Sequence, residues 1–192
     1  MNTHTLVAVA ACAAALGGAA HARTMQQELN HHAAEQSRIA ADELHGRLSP
    51  ASAGALHERA AKVEQVEADT LAANDAASRQ QLAYAERDLD HAIARAEHAK
   101  HKQQPTAGSL DRMHAQVASA REAEQQRWIA AAYRHGTFES GRAAQLERDQ
   151  AAVVSHEAAL ERRGHESVDE ALQVQHLQDV QDWAIRSGRS RA

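Results

Sequence analysis

Cysteine, proline and aromatic residues are all scarce in this chain. Of its 192 residues one is cysteine, two are proline, and Phe, Trp and Tyr together make 3%. The single cysteine, Cys12, lies in an N-terminal apolar stretch, so the chain beyond it has no disulfide, no thiolate nucleophile and no Cys-ligated metal. Sheets favour β-branched and aromatic residues, and here alanine dominates the apolar count, so the composition points to helices. Lys and Arg nowhere form a run with interleaved aromatics, which excludes a nucleic-acid footprint. No Gly-x-Ser-x-Gly elbow, phosphate loop, His-Glu-x-x-His or glycine-rich nucleotide fingerprint occurs, and the chain reads as non-enzymatic. Asp88 and Asp90 beside His91 could be drawn as an acid–base set, but on an exposed helix such a set is a solvated face.

What is present begins with an export signal. Leu6 to Ala20 is apolar but too short to span a membrane comfortably. Ala20-His21-Ala22 supplies a small-x-small cleavage pattern, so residues 1–22 read as a signal peptide with cleavage after Ala22, although its first five residues carry no Lys or Arg. Val9-Ala10-Ala11-Cys12 has the look of a lipobox. It would leave a very short leader with apolar sequence continuing past it, so the reading is against lipidation. After removal of the leader no transmembrane segment is expected.

The remaining chain is organised by a repeat. Leu44-His45-Gly46-Arg47-Leu48-Ser49-Pro50 is a helix stop followed by a helix start, and Arg134-His135-Gly136-Thr137-Phe138-Glu139-Ser140 answers it ninety residues later. Ile39, Ala40 and Ala41 correspond to Ile129, Ala130 and Ala131. Leu56, Val63, Glu67 and Ala68 correspond to Leu146, Val153, Glu157 and Ala158. An ungapped offset over some thirty residues points to a duplicated supersecondary unit. Gly46 and Gly136 sit where a helix end wants a left-handed residue, and His45 and His135 where the helix dipole favours a cation. Ser49-Pro50 reads as a cap and first helical residue, with Thr137 or Ser140 taking the capping role in the second copy. Ser167 with Glu170 is a capping box.

The periodicity predicts six helices: Met25–His45, Pro50–Ala73, one from Asn74-Asp75 to Lys102, Leu110–His135, Arg142–Arg163 and Val168–Ser187. The second helix has its stripe at Leu56, Ala60, Val63, Glu67 and Thr70, and the third at Leu82, Ala85, Leu89, Ala92 and Ala96. Met113, Val117, Ala120, Trp128 and Ala131 anchor the fourth. Leu146, Val153 and Leu160 anchor the fifth, and Leu172, Leu177, Val180 and Trp183 the sixth. Gly164 and Gly188 end the last two. The expected organisation is an all-α fold of two three-helix units, 23–104 and 110–187. A linker at 105–109 joins them and a basic tail follows at 188–192. An antiparallel bundle and elongated hairpins both satisfy the pattern.

Arg38-Ile39 through Glu67-Ala68, and Trp128 through Glu157-Ala158, share a helix end, a glycine, a capped start, then an Ala-, Leu- and Glu-rich helix. This pattern resembles a group of small secreted helical repeat proteins of proteobacteria, in which Gly-x-Leu-Thr-x-x-Glu-Ala elements alternate with Gln/Glu/Arg/Ala-rich helices. Gly164 to Gln181 is similar to their closing element. The chain departs from the pattern at Glu139-Ser140, where Leu-Ser-Pro does not recur. The resemblance implies a periplasmic location and helical repeats, and carries no activity with it.

Histidine is over-represented, at 14 residues, of which only His4 and His21 precede the cleavage point. Glu28, His31, His32 and Glu35 mix imidazole and carboxylate within a turn or two. His98 and His101, with Glu97 and His91, form a second group, though Arg95, Lys100 and Lys102 crowd it. Such spacings can ligate zinc, copper or nickel. Only His45 and His135 recur at the ninety-residue offset, so the repeat itself is not built on these histidines. Protonation near pH 6.5 could instead carry the net charge from −5 past neutrality. The reading is an exported, periplasmic, non-enzymatic helical protein that binds another protein or itself, with an envelope-stress or chaperone-like role. The alternative is a periplasmic Cu, Zn or Ni protein using His31, His32, His98 and His101, with no other cofactor.

Overall fold

Thr24 accepts from the Gln27 backbone N–H while the Gln27 side chain accepts from the Thr24 N–H. This reciprocal capping box opens the described part of the molecule. The computed structural model describes residues 24–99, 110–163 and 167–189. These form six helices and no strand: α1 Met25–Leu44, α2 Pro50–Ala73, α3 Ala76–Ala99, α4 Leu110–Arg134, α5 Ser140–Arg163 and α6 Val168–Arg189. Among the described residues no helix is long and apolar enough to cross a membrane. The expected leader at 1–22 with Cys12, the 105–109 linker, His101, Gly164 and the last three residues lie outside the described residues.

The two expected turns close with the same bonds. Gly46 donates to the Glu43 carbonyl and Arg47 to that of Asp42; Gly136 donates to Tyr133 and Thr137 to Ala132. Both glycines are left-handed, at φ +63° and +69°, as a Schellman ending requires. Ser49 caps α2 by accepting from the Ser52 N–H, with Pro50 at the first helical position. At the second start neither Thr137 nor Ser140 takes the capping place. The first bonds of α5 close on the Glu139 carbonyl, and the helix begins two residues earlier than periodicity placed it. Asn74 ends α2 at φ 51°, and Asp75 starts α3 by accepting from the Ser78 N–H.

The four helices α1, α2, α4 and α5 make the centre. Helix α2 packs on α5 and α1 on α4 more extensively than any other pairs, so the two halves lie against each other. Both contacts are antiparallel. Gln26 donates to the Ala130 carbonyl and Gln116, ninety residues on, to that of Glu43. Helix α3 covers the α1–α2 side and α6 the α4–α5 side. One apolar cluster gathers Ile39, Leu56, Val63, Leu82, Leu89 and Ile93; another gathers Leu71, Ile129, Phe138, Leu146 and Ile185.

Two expected stripes are corrected. On α4 Met113 and Val117 are exposed, and the buried residues at alternating steps of four and three are Ala118, Glu122, Gln125, Ile129 and Ala132. On α6 Leu172, Val180 and Trp183 are exposed, and Val174, Gln178, Gln181 and Ile185 are buried. The cause is hydrogen bonding. Gln178 donates to the Ala118 carbonyl, Gln181 to that of Leu146, and Gln125 to that of Gln178, so amides occupy the inward positions. Gly188 does not end α6 either. The helix runs on to Arg189, because a Cβ on Gly188 would stand 2.7 Å from the Phe138 ring, and only glycine admits that ring so close. The basic tail expected from residue 188 is, in its first two residues, helix.

Candidate metal centre

Each central helix carries a core stripe at heptad spacing in which polar residues alternate with apolar ones. On α1 the stripe is Leu29, His32, Gln36, Ile39 and Glu43; on α5 it includes Glu147, Gln150, Val154 and Glu157, and all are buried. These stripes bring one side chain from each central helix together. His32 Nδ1 lies 2.8 Å from Glu67 Oε2, linking α1 to α2. Gln126 on α4 donates from Nε2 toward both Glu147 oxygens on α5, each at 3.1 Å. The same nitrogen is 3.4 Å from Glu67 Oε2. Gln36 donates to Glu64 Oε1 at 3.1 Å alongside.

A second set lies further along. His57 Nε2 is 3.1 Å from Glu43 Oε2, and its Nδ1 is 3.6 Å from Glu122 Oε2. Glu122 and Glu157 are both buried. Adding ninety turns Gln36 into Gln126, His57 into Glu147, His32 into Glu122 and Glu67 into Glu157. Ninety residues therefore relate members of the two groups, with imidazole and carboxyl exchanged at two of the four positions; Gln36, the counterpart of Gln126, bonds Glu64. Comparing histidines alone at this offset misses that correspondence.

Among the described residues no Lys or Arg is buried beside these acids. Burial is the main force on their protonation. It lowers His32 to about 4, against the pull of Glu147. It raises Glu64, Glu67 and Glu147 well above the usual carboxylate range, with Glu67 and Glu147 adding to the rise of others in the set. Glu122 rises for the same reason, and Glu86 reaches about 10 through burial and its contact with Glu28.

The four histidines expected at metal sites are not brought together. His32 is fully buried in the central set. His31, one residue earlier and so on another face of α1, turns toward α3. Its Nε2 lies 3.3 Å from Asp90 Oδ2 and 3.9 Å from Glu35 Oε1. Ligand atoms of His31, Glu35 and Asp90 all lie within 4.8 Å of one another. Two ligands at ordinary zinc distances on a tetrahedron are about 3.4 Å apart, so the outer group is close to a ligand arrangement. His98 and His91 are exposed, and Glu97, expected beside His98, is instead clamped by Arg38 at 2.7 and 2.8 Å. Asp90 was read as part of a solvated face, and Glu64, Glu86, Glu122, Gln126 and Glu147 carried no expectation. The signal that finds them is a polar residue recurring at a core position of the helical period, as Glu67 already did.

His45 confirms its placement at a helix end, with Nδ1 donating to the Ala41 carbonyl at 2.5 Å. Trp128 packs beside Arg186, whose guanidinium lies 5.2 Å from the ring centre. No family model, curated protein or solved structure matches the chain.

Proposed function

We propose that the protein is an exported, non-enzymatic helical protein that binds a divalent transition metal at His31, Glu35 and Asp90. The observation that carries this is the convergence of one imidazole and two carboxylates, from α1 and α3, with every ligand atom within 4.8 Å of the others. The donor set of one nitrogen and two oxygens suits zinc or nickel and leaves open positions for water. Arg38, the cation on the next turn of α1, is held by two hydrogen bonds to Glu97, and Asp90 adds to the charge that favours it. Periplasmic placement is supported by the leader pattern at 1–22 and by the resemblance described above.

Calorimetric titration with Zn(II), Ni(II) and Cu(II) at pH 7.5 tests this reading. A defined, rapidly exchanging equivalent is expected, lost in His31→Ala with Asp90→Asn. Titration without heat, or binding unchanged in that variant, overturns it.

A second reading, binding to another protein or to itself, is favoured by one observation. Leu172, Val180 and Trp183 stand exposed along α6, Trp183 by 70%. Sedimentation of the chain and of Val180→Glu with Trp183→Glu tests self-association; a monomer in both cases removes that part of the reading.

A further inference from the structure

Gln126 Nε2 has two hydrogens and four acceptors around it. Glu147 Oε1 and Oε2 stand at 3.1 Å, Glu67 Oε2 at 3.4 Å and His32 Nδ1 at 3.5 Å. An amide nitrogen can satisfy two of these. His32 Nε2, Glu67 Oε1 and Gln126 Oε1 have no hydrogen-bond partner, and all three side chains are 0% exposed. Unsatisfied polar atoms at this depth are costly and call for a reason.

We propose that this amide nitrogen marks the place of an occluded divalent transition cation, ligated by His32, Glu67 and Glu147, with Gln126 turning to offer its oxygen. The side chain would draw back from the place Nε2 now holds and turn its amide over, so that Oε1 faces the cation and an overworked donor becomes a ligand. Each of the four central helices supplies one group, and the core of a helix bundle is where facing helices can build such a site. A dication held by two carboxylates and a neutral imidazole leaves no net charge in the interior, and takes the place of the protons that burial keeps on these carboxyls. The ligands must close inward by about 1 Å to reach ordinary metal–ligand distances, a movement within the reach of side-chain torsions.

The neighbouring residues supply a path. Glu86 bonds Glu28 and lies within electrostatic reach of both Glu35 and Glu67. Carboxyls thus run from the half-buried outer group at His31 to the interior set. His57 with Glu43 and Glu122 forms a second buried group of imidazole and carboxyls. This inference extends the metal reading of the outer group to different ligands, and stands or falls separately.

The test loads the full chain with Zn(II), both in the folded state and during refolding from urea, then strips exchangeable metal with EDTA on a timed column. One zinc per chain is expected to survive stripping and to survive equally in His31→Ala with Asp90→Asn. His32→Gln and Glu147→Gln, checked for helicity by circular dichroism, are expected to lose it. Zinc absorption-edge spectroscopy on the stripped, unsubstituted protein keeps the test independent of whether these variants fold. A shell of one imidazole with oxygen ligands is expected. No retained zinc by either loading route, retention in both interior variants, or a shell of several imidazoles overturns the proposal. Loss of the rapidly exchanging zinc alone, with the retained equivalent intact, counts against the outer site only.

Discussion

His32 Nδ1 lies 2.8 Å from Glu67 Oε2, and neither side chain is exposed to solvent at all. A pair so placed is maintained only while both partners are present. Glu67→Leu leaves a buried imidazole nitrogen without its partner, which costs about 1–3 kcal/mol. Replacing both, with His32→Leu added, is expected to cost less than the sum of the single changes, with a coupling of about 1–3 kcal/mol. Urea unfolding in EDTA, run as a double-mutant cycle, measures this. Additive costs would mean that the contact carries no energy of its own.

Gly188 and Gly141 are expected to respond to alanine with opposite signs. At Gly188 the new Cβ meets the buried Phe138 ring at 2.7 Å, and overpacking of this kind costs about 1–3 kcal/mol. At Gly141, in the first turn of α5, nothing stands within 4 Å, and the better helix former gains up to about 1 kcal/mol. Thermal unfolding of the two variants separates these outcomes. Phe138→Leu should relieve part of the loss at residue 188.

At Gly46 and Gly136 the surroundings are open, so only backbone strain opposes a side chain. With φ at +63° and +69°, Gly→Ala at either turn should cost about 1–2 kcal/mol. The two costs should be equal within error and additive in the double variant, as read from urea midpoints.

Stability of the metal-free protein should pass through a maximum in mild acid. Glu86 is raised from 4.5 to about 10, so the folded state holds its proton more tightly than the unfolded chain. That contribution is complete below pH 4.5 and is lost as pH climbs toward 10. His32 is lowered from 6.5 to about 4, so its contribution is complete above pH 6.5 and is lost as pH falls through 4. Urea midpoints in EDTA should therefore decline on both sides of the interval between those limits. Glu86→Gln should make the alkaline limb shallower, since Glu64, Glu67, Glu122 and Glu147 still contribute to it, and leave the acid limb unchanged. A midpoint that rises steadily to pH 9 would contradict the assignment.

The helices were legible where local chemistry decides them. Ser49-Pro50, Asn74-Asp75, the two glycine turns and the Ser167–Glu170 box all mark ends that the chain obeys. Pro50–Ala73 has the bounds that periodicity assigned to it. The interior was not legible from apolar residues. On α2 the stripe holds because leucine, valine and alanine occupy most of it, and Glu67 was carried along by its spacing. On α4 and α6 the inward positions belong to Glu122, Gln125, Gln178 and Gln181, while Val117, Val180 and Trp183 face outward. Hydrophobicity decides burial when the alternative is water. Here the facing helices offer carbonyls and carboxyls, so an amide finds a partner inside that leucine would leave without one. The metal groups divide along the same line. His31 and His32 are neighbours in sequence, but a helix turns about 100° per residue and sends them to different partners.

The glutamine bonds of α6 have a consequence for how the chain tolerates change. Gln178 and Gln181 each reach a single backbone oxygen, on α4 and α5 respectively, and Arg142 fastens the Ala184 carbonyl from α5. Apolar side chains slide past one another at little cost, whereas these donors have one address each. A residue added to or removed from the connection before Ser167 cannot be absorbed by shifting α6 along its groove, since one step misdirects all three bonds together and carries Gly188 away from Phe138. The final helix works as a gauge of chain length, and length variation in this molecule belongs elsewhere.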